Sequence, residues 1–163
     1  MIFNNRQIER YSRQIILKKI GVVGQKKLLK SSVLIVGAGG LGSPIAIYLA
    51  AAGVGKIGII DKDKVEISNL SRQIIFTTKD IKKSKSSTAI NKLKKINQDL
   101  KFESFNMKLT KKNIKRIGKN FSIIVDGSDN FRTRFLINDY CFKNKKILVS
   151  GAISKFDGQV YTF

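Results

Sequence analysis

Val33-Leu34-Ile35-Val36-Gly37-Ala38-Gly39-Gly40-Leu41-Gly42 is the stretch that decides the fold of this chain. Four apolar residues without a polar interruption suit a buried strand, and a glycine turn comes directly after them. Residues 43–52 then carry a helical pattern. Gly37, Gly39 and Gly42, with Gly40 between them, have the spacing of a nucleotide-binding turn. In such a turn, backbone amides at a helix N-terminus face a phosphate. A second apolar run, 57–60, ends at Asp61, 19 positions beyond Gly42. A carboxylate there is placed to accept hydrogen bonds from ribose hydroxyls. The glycine spacing alone is a weak signal; strand, turn, helix and acid in register make a specific one.

Outward from this unit, the pattern predicts helices at 7–19 and 24–30 ahead of the first strand, and a second strand at 56–60. A polar connection over 62–85 leads to an amphipathic helix at 86–100. In that helix Ala89, Leu93, Ile96 and Leu100 share one face, and Lys92, Lys94 and Lys95 lie toward water. A short strand is expected within 102–107, a helix at 111–117 and a strand at 121–125 running into Asp126-Gly127-Ser128-Asp129-Asn130. A helix at 131–142 and strands at 147–150 and 159–163 complete the series. Strands alternating with helices indicate an α/β fold: a Rossmann-like, doubly wound, mostly parallel sheet with helices on both faces, preceded by N-terminal helices. Residues 1–31 are read as those helices and 32–163 as the core of one domain.

Composition narrows the chemistry. At 163 residues, 42% of them hydrophobic, the chain is sized for one globular core. No apolar run approaches the roughly 18 residues of a membrane helix. Residues 1–10 are polar and lack a signal-peptide core, so a cytoplasmic location and no membrane partner are expected. One cysteine, Cys141, excludes an internal disulfide, and the absence of histidine excludes an imidazole base and most zinc chemistry. A net charge of +21 raises the question of a nucleic-acid partner. The lysines, however, are spread from Lys18 to Lys155 rather than gathered in one stripe, which favours compositional drift over nucleic-acid binding. An acidic protein partner would still be drawn in faster by such a field.

The segment that begins at Asp61 is unusual for a nicotinamide site: Asp61-Lys62-Asp63-Lys64-Val65-Glu66-Ile67-Ser68-Asn69-Leu70-Ser71-Arg72-Gln73. Upstream stands Arg10-Tyr11-Ser12-Arg13-Gln14-Ile15-Ile16. With these segments, the glycine turn, Asp126-Gly127-Ser128-Asp129-Asn130 and Val149-Ser150-Gly151-Ala152, the chain resembles the ThiF/MoeB/HesA family. Its members are adenylyltransferases that activate ubiquitin-like sulfur-carrier proteins, and they are related to the ubiquitin-activating enzymes. The resemblance runs from Arg10 to Gln159 in ordered blocks.

The resemblance implies ATP and Mg²⁺ as cofactors and a sulfur-carrier protein of the thiamin or molybdopterin type as partner, with its C-terminal Gly carboxylate adenylated. It implies that Gly37, Gly39, Gly40 and Gly42 approach the nucleotide and that Asp61 holds the ribose. Asn69, Arg72, Lys85 and Asn130 would surround the nucleotide, and Asp129 would bind Mg²⁺. Arg13 would reach the phosphates of a neighbouring copy in a homodimer, so that Arg13, Arg72, Lys85 and Asp129 carry the catalysis. Relatives have a glycine wording before the lysine matched by Lys85, where this chain has Lys82-Lys83-Ser84. Relatives also continue past Phe163 into two Cys-x-x-Cys pairs, so the core is C-terminally short against the family and no zinc is expected. Two other functions belong to the same frame: a non-catalytic ATP- and carrier-binding remnant, and the tRNA-acting dehydratase branch. Asp126 reads equally as a metal ligand or a turn-holding residue, Arg134 as a structural ion pair, and Cys141 as a small core residue rather than a nucleophile.

Overall fold

The computed structural model describes residues 3–163; Met1 and Ile2, the start of the polar stretch 1–10, lie outside the described residues. Helix α1 (Asn5–Ile15) begins where the Asn4 side chain accepts from the Gln7 amide in a reciprocal capping box. It buries Tyr11, whose hydroxyl accepts from Asn97 Nδ2 at 2.9 Å. Gln14 Nε2 donates to the Ala52 carbonyl at 3.2 Å, so α1 is seated by polar contacts as well as by packing. The helix stops four residues short of the expected Lys19, because the chain turns and re-enters a helix at Gly21, whose φ is +59°. Helix α2 is therefore Gly21–Lys30, three residues longer than the pattern predicts.

The strands β1 (Ser32–Val36), β2 (Lys56–Ile60), β3 (Lys101–Phe105), β4 (Ile123–Asp126), β5 (Ile147–Ser154) and β6 (Asp157–Thr162) form one sheet in the order β3-β2-β1-β4-β5-β6. All neighbours are parallel except β5 and β6, an antiparallel hairpin in which Gly151 opposes Val160. The mostly parallel Rossmann-like sheet read from the sequence is the sheet observed. On one face Val33, Ile35, Ile57 and Ile59 pack with Ala46 and Ala50 of α3 (Gly42–Ala52) and Ala89, Ile90 and Leu93 of α4 (Lys85–Ile96). On the other, Leu34, Val36 and Ile124 pack with Ile114 and Ile117 of α5 (Lys111–Gly118) and Ile137 and Tyr140 of α6 (Phe131–Asn144). Strand β1 is thus dry on both sides, which is why it reads as an unbroken apolar run. Among the described residues, no helix is long and apolar enough to cross a membrane.

Three further expectations need correction. Helix α4 ends at Ile96, not at residue 100: Asn97 turns to an extended φ of −149° and spends its amide on Tyr11 and the Ala50 carbonyl. Leu100 is buried all the same, from the loop. The connection 62–85 is not simply polar; it forms 3-10 turns at Ile67–Asn69 and Thr78–Asp80 and sends Val65, Ile75 and Phe76 into the core. Lys92 does not lie wholly toward water: half-buried, it pairs with the buried Asp80.

That pair has a pH signature. Burial by itself would raise the Asp80 carboxyl, but hydrogen bonds from Lys92 and from Thr77, side chain and backbone, hold it down to about 2. Because the folded value lies below the unfolded one of about 3.9, the stabilisation is complete above that pH and is lost as pH falls through about 2. Asp80→Asn is expected to lower stability at pH 7 by about 1–2 kcal/mol and to flatten the acid limb between pH 4 and 2. Urea melts across that range check both effects. Cys141 is buried, and burial, with the nearby Asp126 charge adding and Lys146 opposing, pushes its thiol up to about 11. It is a core residue, as its helix position suggests.

Candidate functional site

Helices α3 and α4 lie on one face of the sheet and α5 and α6 on the other, so the chain reverses its winding between β1 and β4. The carboxyl ends of the strands splay apart there, the position where open α/β sheets bind ligands. A cavity of about 310 Å³ occupies this point, lined from the ends of β1, β2, β3 and β4. The volume is within the ordinary range of about 300–1,000 Å³ for small-molecule sites.

The glycine turn forms its floor. Gly37 has φ +91°, and a Cβ there would stand 3.0 Å from the Gly127 carbonyl oxygen, so the β1 and β4 loops touch through it. Gly42 opens α3 against the same turn, where a Cβ would stand 1.9 Å from the Gly37 carbonyl oxygen. Both are demanded by packing. Gly39 and Gly40 are not: a Cβ at either would meet only ordinary contacts, 3.9 Å from Gln73 Nε2 and 3.7 Å from Arg72 Cγ. The space they leave opens on the cavity. The Gly39, Gly40 and Leu41 amides have no acceptor among the described residues, and α3's positive end points the same way.

Asp61 stands at the end of β2. One carboxylate oxygen accepts from the Ala38 amide at 2.8 Å and the other from the Asp63 amide at 2.8 Å. The carboxylate is thereby locked in orientation with lone pairs left for a ligand. Lys85, far along the chain, arrives because residues 63–65 and 82–85 pair like short antiparallel strands: Val65 donates to Lys83 O, Lys82 to Val65 O and Lys85 to Asp63 O. Its side chain lines the cavity at 7% exposure, with no carboxylate partner among the described residues. Arg72 lays its stem against Gly40 and donates from Nη1 to the Ser68 carbonyl at 3.0 Å. At the rim, Asp63 hydrogen-bonds Lys62 and raises its ammonium above the ordinary value.

From β4, Asp129 and Asn130 line the opposite wall. Asn130 also caps α6 by accepting from the Thr133 amide at 2.9 Å. The Asp129 carboxylate is exposed and takes one hydrogen bond, from Asn130 Nδ2 at 3.3 Å. Asp126, by contrast, is 1% exposed and fully engaged with Ser128, Ser150 and Arg134. It holds the loop, and Arg134 ties the same loop to β5 through Ser128 O and Gly151 O.

Of the residues named from sequence, Gly37, Gly39, Gly40, Asp61, Arg72, Lys85, Asp129 and Asn130 meet around this cavity. Gly42 lies behind the wall, as the start of α3. Asn69 lies beneath it: its side chain accepts from the Glu66 amide at 3.1 Å, and its carbonyl accepts from the Arg72 and Gln73 amides. Arg13 is exposed on α1, outside this cavity. Gln73, Lys108 and Thr133 line the cavity without a sequence signal having marked them as ligands. For Gln73 the available clue was its place next to Arg72 in the same segment; Lys108 and Thr133 sit in stretches with no distinguishing pattern. A second depression of about 730 Å³ shares Gly40, Arg72, Ser128 and Asp129 with the first and runs out past Leu41, Ala152 and Ile153.

The site has cations, fixed amides and free carboxylate oxygens, and no histidine. Such a set neutralises and aligns an anionic ligand; it does not shuttle protons near neutral pH. The sequence profile of the ThiF family matches residues 11–163. The sulfur carrier protein adenylyltransferase of Thermus thermophilus is 44% identical over 163 residues, 100% of this chain and 60% of the relative. The probable molybdopterin-synthase adenylyltransferase of Porphyra purpurea is 48% identical over 161 residues, 99% of this chain and 42% of the relative. Among solved structures, E. coli MccB with ATP is similar at a TM-score of 0.80 and 28% identity, over 88% of this chain and 44% of that one. The chain thus spans 60% and 42% of the lengths of the two curated relatives.

Proposed function

This chain belongs to the ThiF family, and from that premise we propose that it is an ATP-dependent adenylyltransferase acting on the C-terminal carboxylate of a ubiquitin-like sulfur-carrier protein. The observation that carries the reading is the convergence of Arg72 and Lys85 on a glycine turn with free amides, Asp61 at one end and Asp129 at the other.

In this reading Asp61 accepts from the ribose hydroxyls, and the Gly39 and Gly40 amides meet the α-phosphate. Arg72 and Lys85 offset the charge of the triphosphate. A carboxylate oxygen of the carrier tail attacks the α-phosphorus and forms a C–O–P linkage. The bond from that phosphorus to the bridging oxygen breaks, and its electron pair leaves with pyrophosphate. An α-carboxyl group ionises at about pH 3.3–3.7, so the nucleophile needs no base, in keeping with a chain that has no histidine. Two anions must be brought together, and positioning with electrostatic stabilisation is what the site supplies.

The shallow depression past Leu41, Ala152 and Ile153 suits the tail's approach, since Gly40, Gly127 and Ala152 leave room for an extended chain of small residues. Asp129, with its carboxylate nearly unspent, fits Mg²⁺, which takes one or two carboxylates and fills its shell with phosphate oxygens and water. Bound there, Mg²⁺ would supply charge neutralisation at the phosphates. Arg13 lies outside its own chain's cavity and is assigned to a neighbouring copy's phosphates in a homodimer.

Incubation with ATP, Mg²⁺ and a Gly-Gly-tailed carrier should give carrier-dependent exchange of pyrophosphate into ATP. A folded sample that binds ATP and carrier but shows no exchange overturns the catalytic claim and leaves a binding module.

A further inference from the structure

Four carboxamides are buried among the described residues: Gln25, Asn69, Gln73 and Asn97. Three are used by the fold. Gln25 Nε2 donates to Ala52 O at 3.0 Å although its Oε1 has no donor, Asn69 Oδ1 accepts from the Glu66 amide at 3.1 Å, and Asn97 Nδ2 donates to Ala50 O at 3.0 Å, so each has at least one polar atom bonded. Gln73 is different. It is 4% exposed, its Oε1 is sealed from solvent without a donor, and its Nε2 has no acceptor among the described residues. Yet its backbone is pinned, its amide donating to Asn69 O at 2.9 Å and its carbonyl accepting from the Phe76 amide at 3.0 Å. The fold therefore aims this side chain without using it.

The direction of aim is toward the glycine turn. Nε2 lies 3.9 Å from where a Cβ of Gly39 would stand, and Gln73 lines the same cavity as Lys85 and Asp61. The sealed Oε1 cannot be reached from the cavity, but Nε2, which has no acceptor and faces Gly39, is completed by an acceptor that enters it. Resting on the nucleotide reading above, we infer that Gln73 is a phosphate-binding residue whose Nε2–H donates to a non-bridging oxygen of the nucleotide's phosphate chain. Asp61 stands for the ribose end; the Gly39 amide, with the Arg72 stem against Gly40, marks the phosphate end. A neutral donor there adds direction without adding charge, so it discriminates phosphate position while the cations supply most of the attraction.

The test compares wild type, Gln73→Leu and Gln73→Glu for binding of ATP and of adenosine, by calorimetry and chemical-shift titration. Glu is isosteric and keeps the volume filled while replacing the donor by an acceptor with charge. Gln73→Leu should bind ATP about tenfold more weakly, Gln73→Glu about a hundredfold, with adenosine affinity within about twofold of wild type. Equal ATP affinity in all three proteins overturns the inference. So do parallel losses for ATP and adenosine, which would mark a merely structural residue. A wild type that binds adenosine but gains nothing from the phosphates overturns it too. Failure of wild type to bind either ligand sinks the nucleotide reading itself.

Discussion

Lys85→Met is expected to cut carrier-dependent ATP–pyrophosphate exchange by about 10²–10³-fold, on the scale of removing one fixed charge-stabilising group from a site, while leaving the melting temperature unchanged or higher. The side chain is 7% exposed and has no carboxylate partner among the described residues. It adds one more positive charge to a chain of net charge +21 that already repels itself. Met fills nearly the same volume and removes the charge, so folding loses nothing by the exchange. Activity loses a cation at the phosphates. A structural lysine behaves in the opposite way: its loss lowers the melting temperature and spares the exchange rate. Calorimetric melting and an isotope-exchange assay on one protein preparation separate the two.

Gly42→Ala is expected to destabilise the fold by about 3 kcal/mol or more, the upper range for forced overpacking. Its Cβ would stand 1.9 Å from the Gly37 carbonyl oxygen and 2.9 Å from the carbonyl carbon. Both are backbone atoms, and Gly37 cannot yield easily: its amide bonds Ile60 O at 2.9 Å, and its φ of +91° is itself a glycine conformation. The first turn of α3 must shift or the β1 turn must open, and the amides at the cavity floor shift with either. ATP affinity falls together with stability. Gly40→Ala is the matched control, since its nearest neighbour would be 3.7 Å away. It should melt like the parent, because the methyl group enters the cavity and not the packing. Urea unfolding of the two variants decides the matter.

Much of the fold was legible because each strand and helix carries its burial in its own periodicity. Strand β1 reads as apolar throughout, helix α3 comes directly after the glycine turn, and Asp61 ends the second run. The misreadings share one cause: a residue's environment was inferred from its own element when it was set by a distant one. Helix α4 stops at Ile96 because Asn97 is claimed by Tyr11 of α1 and by α3. Lys92 is drawn partly out of the solvent because the turn at Thr78–Asp80 brings a buried carboxylate beneath it.

From the chain of letters alone came the order of strands and helices, the turn with its four glycines and the family likeness, since local sterics and hydrophobic spacing are written residue by residue. Which side chains share a cavity was decided only in three dimensions. The sheet order, with β1 between β2 and β4, sets Gly37 against Gly127. The bridge between residues 64 and 84 carries Lys85 in beside Asp61. The reason is physical: a contact between distant segments depends on the path of every loop between them, and no single loop records that path. The unpaired amide of Gln73 is of the same kind, visible only once each other buried carboxamide is seen to make at least one side-chain bond.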